Sequence, residues 1–147
     1  MSIERAVSKQ SGHDQLENKQ ALIEGLYEKA RAMLPALRSR AQETASLGRL
    51  PDATVAEMQG AGFFRIMQPA RYGGYELDPQ VFFEVQMILA EACMSTAWVL
   101  GVVAIHNWQL ALYDDRAQQD VWGEDDSTLI SSSCIFVWHT WLALWHG

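Results

Sequence analysis

Two groups of residues in this 147-residue chain have the types and the setting for chemistry. His106 heads the stretch His106-Asn107-Trp108-Gln109, directly after the uncharged apolar run Ala97 to Ile105. An imidazole takes up and releases a proton near neutral pH, and an indole such as Trp108 can wall a flat aromatic pocket. The second group is Ser131-Ser132-Ser133, where a hydroxyl can both donate and accept a hydrogen bond. Each group also has a plainer reading. A single His after an apolar helix commonly caps it or sits satisfied in a core, and a serine run commonly closes a strand. Arg71, in Pro69-Ala70-Arg71-Tyr72-Gly73-Gly74, could meet a ligand phosphate, although a solvated loop arginine is the simpler reading. Gly73 and Gly74 are assigned to the turn itself. Trp98 and Trp122 read as core, and Met33, Met58 and Met87 as core filler.

Composition removes several classes of function. The net charge of −7 and pI near 4.9 argue against a nucleic-acid partner, which needs clustered Lys and Arg to neutralise phosphates. Arg38 and Arg40 are the nearest approach to a cluster and fit a solvated helix face. Cys93 and Cys134 form no disulfide framework, and neither they nor His139 and His146 have metal-ligand spacing, so no metal is expected. There is no Gly-x-Gly-x-x-Gly and no phosphate-binding Lys motif. No charged start followed by an apolar run suggests a signal peptide, and the longest uncharged apolar run inside the domain is well short of the roughly 20 residues a spanning helix needs. A soluble cytoplasmic protein with no membrane partner is the expectation.

The elements that must hold these residues are helical. Residues 1–13 are polar and aperiodic and read as a disordered tail. From Asp14, the apolar positions Ile23, Leu26, Ala30, Met33 and Leu37 recur at intervals of three and four. Pro35 predicts a kink or restart, and Gly48 a stop. A short helix opens after Leu50-Pro51-Asp52, with Asp52 or Thr54 as cap and Glu57 placed to reach back; Gly60 and Gly62 end it. Phe63 to Met67 reads as a buried extended link, and Gln68 to Gly74 as a loop. Asp78-Pro79 starts the next helix, whose stripe is Val81, Val85, Ile88 and Ala92, widened by Phe82 and Leu89. Ser95 is the expected cap of a central helix from Thr96 to about Ile105. A further turn from His106 to Tyr113, an amphipathic piece from Arg116 to Trp122 and a strand-like Thr128 to Ser131 follow. The expectation is an all-α domain of five or six helices.

Taken in order, these pieces resemble the acyl-CoA dehydrogenase-like flavoproteins, whose N-terminal helical domain has a glycine-ended helix, a short apolar link, a Pro-x-x-Tyr-Gly-Gly loop and then a long helix. The counterparts here are Gly62-Phe63-Phe64-Arg65, Pro69 to Gly74, and the helix bearing Glu84 and Glu91. One branch fits more closely, the oxygenase components of two-component flavin-dependent aromatic monooxygenases, nearest to those of 3-hydroxy-secoandrostane-dione hydroxylation in steroid breakdown. The shared stretches are Leu50-Pro51-Asp52, Gln68 to Gly74, Ser95-Thr96-Ala97-Trp98, His106 to Ala111, Asp120-Val121-Trp122 and Ser131-Ser132-Ser133. The resemblance runs over roughly residues 20 to 133.

The resemblance implies that a separate reductase supplies reduced flavin (FMNH2 or FADH2), that O2 is the oxidant and that a phenolic substrate is hydroxylated beside its hydroxyl. It puts His106 beside the phenol as the catalytic proton acceptor and Ser132 near the reactive edge of the flavin, as both catalytic and cofactor-binding residue. Trp108, Ser131 and Ser133 then bind substrate. It also implies a homotetramer of full-length chains. After Ser133 the pattern breaks. Family members continue with an Ala-Pro-x-Gly-like turn and a β-domain, whereas Cys134 to Gly147 is an uncharged, tryptophan-rich tail. A frameshift or premature stop near residue 133 is one expectation, leaving an N-terminal domain inactive alone; an apolar tail that docks on a partner or a membrane surface is the other. Two further readings stay open: a fragment of an acyl-CoA dehydrogenase that oxidises a thioester with FAD, and a non-catalytic helical interaction module.

Overall fold

The computed structural model describes residues 3–131, with side chains from Asp14 onward. Ser132, Ser133 and the tail 134–147 lie outside the described residues. Five α-helices follow in order: α1 (Ile3–Leu47), α2 (Asp52–Ala61), α3 (Pro79–Ala90), α4 (Met94–Leu110) and α5 (Asp115–Trp122). Two single 3-10 turns, Phe63–Arg65 and Ala70–Tyr72, sit between α2 and α3. The described residues contain no strand, and the all-helical expectation holds.

α1 is longer than its periodicity suggests. Helical backbone begins at Ile3, inside the segment read as a tail. The helix also runs through Pro35 without restarting. Pro35 removes one backbone donor, but Met33 and Leu37 on either side of it are both buried, so packing holds the helix on course. The stripe Leu26, Ala30, Met33 and Leu37 packs against α3, which in turn packs against α4. The core is completed by Met58 from α2, by Phe63, Phe64, Ile66 and Met67, and by Val81, Phe82, Val85 and Leu89 of α3.

Several local expectations change. α2 has no side-chain cap; Pro51 precedes it, Thr54 is buried, and Glu57 instead accepts two 2.8 Å hydrogen bonds from the guanidinium of Arg40. Gly62, with φ 85°, ends α2. Phe63 to Met67 is not extended but turns as a 3-10 helix at its start. With its neighbours on both flanks, a coiled segment buries four apolar side chains toward one core where a strand would alternate them. Asp78 caps α3 as expected, accepting from the Gln80 amide at 2.8 Å, with Pro79 in the first turn. Replacing Asp78 with Ala should cost about 1 kcal/mol, read as a lower urea midpoint with an unchanged slope; an unchanged midpoint would show that the cap does not matter. Ser95 is not a cap; α4 starts at Met94 after Cys93. α4 also absorbs the separate turn expected from His106, while Asp114, not Arg116, opens α5 by accepting from the Arg116 amide. Thr128 to Ser131 has no ladder partner among the described residues and stays irregular.

The Arg40 pair holds the Glu57 carboxyl below its usual range, chiefly through the hydrogen bonds and secondarily through charge. A depressed folded pKa adds stability at pH values above the ordinary value of about 4.3. That stability is lost as pH falls through the lowered value. The pair is partly solvated, with Glu57 39% exposed, so its contribution is under about 1 kcal/mol. Glu57→Gln should therefore destabilise at neutral pH, and the gap to the parent should narrow as pH falls below the ordinary glutamate value of about 4.3. A gap that persists unchanged in acid would show that the charge is irrelevant.

Candidate functional site

α4 carries His106 and Trp108, two of the residues expected to do chemistry, and its register is set by one buried face. Thr96, Ala97, Leu100, Ala104 and Asn107 turn inward. Asn107 is the key residue at the C-terminal end: it is 1% exposed, and its Nδ2 donates to the carbonyl of Phe64 at 2.9 Å. That bond ties α4 to the turn after α2.

His106, next along, is half-buried within the helix, and its Nδ1 lies 2.5 Å from the carbonyl oxygen of Val102 one turn earlier. Trp98, Val102 and His106 stand at i, i+4 and i+8, so they climb one side of α4. Trp98 is 68% exposed and was expected in the core. The reason is that α4 is apolar nearly all round, but α3 and the Phe64 turn cover only one stripe of it. A groove of about 220 Å³ runs beside Trp98, between Phe82, Phe83 and Gln86 of α3 and Val102 and Ile105 of α4. Met87, also expected in the core, and Met94 extend this exposed apolar face. Trp122 and Met58, by contrast, are buried as expected.

Trp108 does not join His106. The two are two positions apart, about 200° around a helix of 3.6 residues per turn, and point to opposite flanks of α4. Trp108 lines a different groove, of about 470 Å³, with Met67, Leu77, Ala111, Arg71 and Gln118 among its walls. Arg71 is not a free cation there: its Nη2 donates to Asp115 Oδ1 at 2.6 Å and to Gln118 Oε1 at 2.8 Å. Gln118, itself buried, donates onward to the carbonyls of Ala111 and Tyr113. Ser131 is exposed at the end of the described chain, two residues past Leu129, which packs on the core.

The glycine loop is a structural clamp. Gln68 is buried and donates to the carbonyls of Tyr72 and Asp126, at 2.7 and 2.8 Å. Arg65 donates to Gly73 O and to Asp126 Oδ1, and the Tyr72 ring packs on Trp122 with centroids 5.5 Å apart. Both loop arginines are thus engaged with carboxylates, and no phosphate cradle is formed among the described residues. The exposed apolar face around Trp98 is the groove between α3 and α4, and His106 is not among its lining residues. Among the described residues no group of three His, Cys, Asp or Glu side chains could hold a metal, and no helix is long and apolar enough to cross a membrane. Sequence reading missed Trp98 as an exposed residue and Asn107 and Gln68 as buried anchors. The spacing of Trp98, Val102 and His106 was a usable signal for the first.

Residues 19–125 match the acyl-CoA dehydrogenase N-terminal domain, and the chain belongs to that family. The oxygenase subunit HsaA of a flavin-dependent monooxygenase from Mycobacterium tuberculosis (strain CDC 1551 / Oshkosh) is 54% identical over 101 residues, which is 69% of this chain and 26% of that protein. The oxygenase component of an FADH(2)-dependent resorcinol hydroxylase from Rhizobium sp. (strain MTP-10005) is 36% identical over 96 residues, 65% of this chain and 24% of that one. The crystal structure of the HsaA monooxygenase from M. tuberculosis superimposes with a TM-score of 0.73 at 50% identity, covering 76% of this chain and 29% of the other. The chain thus spans about a quarter of the length of the curated relatives it matches.

Proposed function

We propose that this chain is the N-terminal α-domain of a reduced-flavin-dependent oxygenase that hydroxylates a phenol with O2. The observation that carries the reading is a fold half identical to a flavin monooxygenase subunit, with an apolar groove beside Trp98 on α4 and His106 a little over two turns further along the same helix. Reduced flavin, FMNH2 or FADH2, delivered by a separate reductase component, supplies the electrons that activate O2. The chain contributes a dry wall against the flat rings and a base. Neutral His106 accepts the phenol proton and so raises the nucleophilicity of the ring. Ser132, as a hydrogen-bond donor to the flavin, and Ser131 and Ser133, toward substrate, belong to the same proposal. Trp108 belongs to it in a weaker sense, since its flank of α4 faces away from His106. A cytoplasmic location and assembly into a homotetramer within a full-length oxygenase complete the reading.

The direct test is a chimera in which residues 19–125 replace the matched stretch of the M. tuberculosis HsaA oxygenase. Supplied with reductase, NADH, flavin and a phenol under ¹⁸O2, it should yield a hydroxylated product bearing one ¹⁸O atom. A product whose new oxygen comes from water would sink the proposal.

A further inference from the structure

We infer that residues 138–145 dock in the groove between α3 and α4 of their own chain. Large apolar side chains rarely stay uncovered together on a monomer, yet this face leaves four exposed: Phe83 and Met87 on α3, Met94 and Trp98 on α4. Within each helix the two are four residues apart and so lie on one side. Phe83 and Trp98 flank a groove of about 220 Å³ that ends at Ile105, and Gly101 adds no side chain to its floor. No lining residue is charged. The one polar wall is Gln86, whose Nε2 donates to the carbonyl of Ala97 at 3.0 Å. Its amide oxygen remains as an acceptor suited to an indole N–H.

Anchor spacing, charge and reach choose the occupant. Trp138, Trp141, Leu142 and Trp145 stand at i, i+3, i+4 and i+7, the spacing by which an amphipathic helix enters an apolar groove. Residues 132–147 contain no Asp, Glu, Lys or Arg, in a chain of net charge −7, so they suit the uncharged groove better than the acidic surface around it. Leu129 packs on the core and lines a pocket with Phe64, whose carbonyl holds Asn107. The chain thus leaves the core beside the end of α4 where the groove begins. Passing round one helix takes roughly 10 Å, and residues 132–137 reach about 20 Å when extended, enough to set Trp138 beside Ile105. Eight helical residues then run about 12 Å, which carries Trp145 as far as Trp98. The inference does not rest on the oxygenase reading. In the intact chain it closes the groove that reading uses, and the chimera carrying residues 19–125 has no such segment.

Hydroxyl-radical footprinting of the intact 147-residue chain tests the contact against the full-length variant Trp138→Ser, Trp141→Ser, Trp145→Ser. A short tether gives an effective concentration on the order of 1 mM, so a groove affinity of about 0.1 mM closes the face roughly ten to one. Trp98 and Phe83 should therefore be modified roughly tenfold more slowly in the parent than in the variant. Leu16 and Leu47, exposed on α1, should react alike in both. The protection should also be unchanged on dilution. Equal modification of Trp98 in parent and variant would overturn the inference. Protection that vanishes on dilution would do the same, by assigning the segment to the groove of a second copy. If the variant does not fold, nuclear Overhauser contacts in the parent decide. Indole protons of residues 138–145 should reach the Val102 and Ile105 methyl groups, and their absence overturns the inference equally.

Discussion

Gly74→Ala is expected to destabilise the domain by about 3 kcal/mol or more, among the largest effects of any single methyl group here. A Cβ on Gly74 would overlap the backbone carbonyl of Gln68. A flexible side chain could move aside, but this backbone cannot. The Gln68 carbonyl accepts from the Glu76 amide at 3.1 Å, and its side chain is held by the carbonyls of Tyr72 and Asp126. The neighbouring amides of Tyr75 and Leu77 bond back to Arg65 and Ile66 at 2.9 Å. Moving Gln68 would therefore strain the segment that buries Ile66 and Met67. Since whole domains are stable by only about 5–15 kcal/mol, the variant should show a clearly lower urea midpoint, or poor folding. A loss under about 1 kcal/mol would show that the loop relaxes and that the clamp is not rigid.

His106→Ala in the HsaA chimera is expected to lower phenol hydroxylation by about 10²- to 10⁴-fold, the usual contribution of a positioned base. Folding should survive, because the imidazole is only half-buried and the α4 register is set by Leu100, Ala104 and Asn107. The control is therefore unchanged helicity and reduced-flavin binding in the variant. His106→Gln, which keeps a hydrogen-bonding group but cannot take the proton, should be nearly as inactive. A variant within about tenfold of the parent would place the phenol's base elsewhere.

The fold was legible wherever one periodicity and one partner decided the outcome. The α1 stripe from Leu26 to Leu37, the Asp78-Pro79 start and the burial of Trp122 follow from spacing and capping chemistry alone. What escaped was set by tertiary contacts. Glu57 has the spacing of a capping-box residue, yet Arg40, 17 residues earlier, takes it. The Phe63 to Met67 run has the composition of a buried strand, but it joins no ladder among the described residues and begins as a 3-10 turn, its Arg65 and Ile66 carbonyls accepting from Tyr75 and Leu77. α4 was the least legible element. Its buried stripe includes Thr96 and Asn107, while Met94 and Trp98 lie outside, so hydrophobicity could not choose the face. For the candidate site, the sequence offered His106 by its residue type, but not the geometry around it. Trp108 is near in sequence but about 200° round α4 from His106, and Trp98 lies about 80° from each.

The measurement that bears most directly on the central claim is the yield of hydroxylated phenol per reduced flavin consumed by the chimera carrying residues 19–125. Hydroxylation that accounts for most of the flavin oxidised, collapsing to hydrogen peroxide when His106 is removed, is the predicted result. A folded chimera that binds reduced flavin yet returns only hydrogen peroxide with His106 in place would contradict the account.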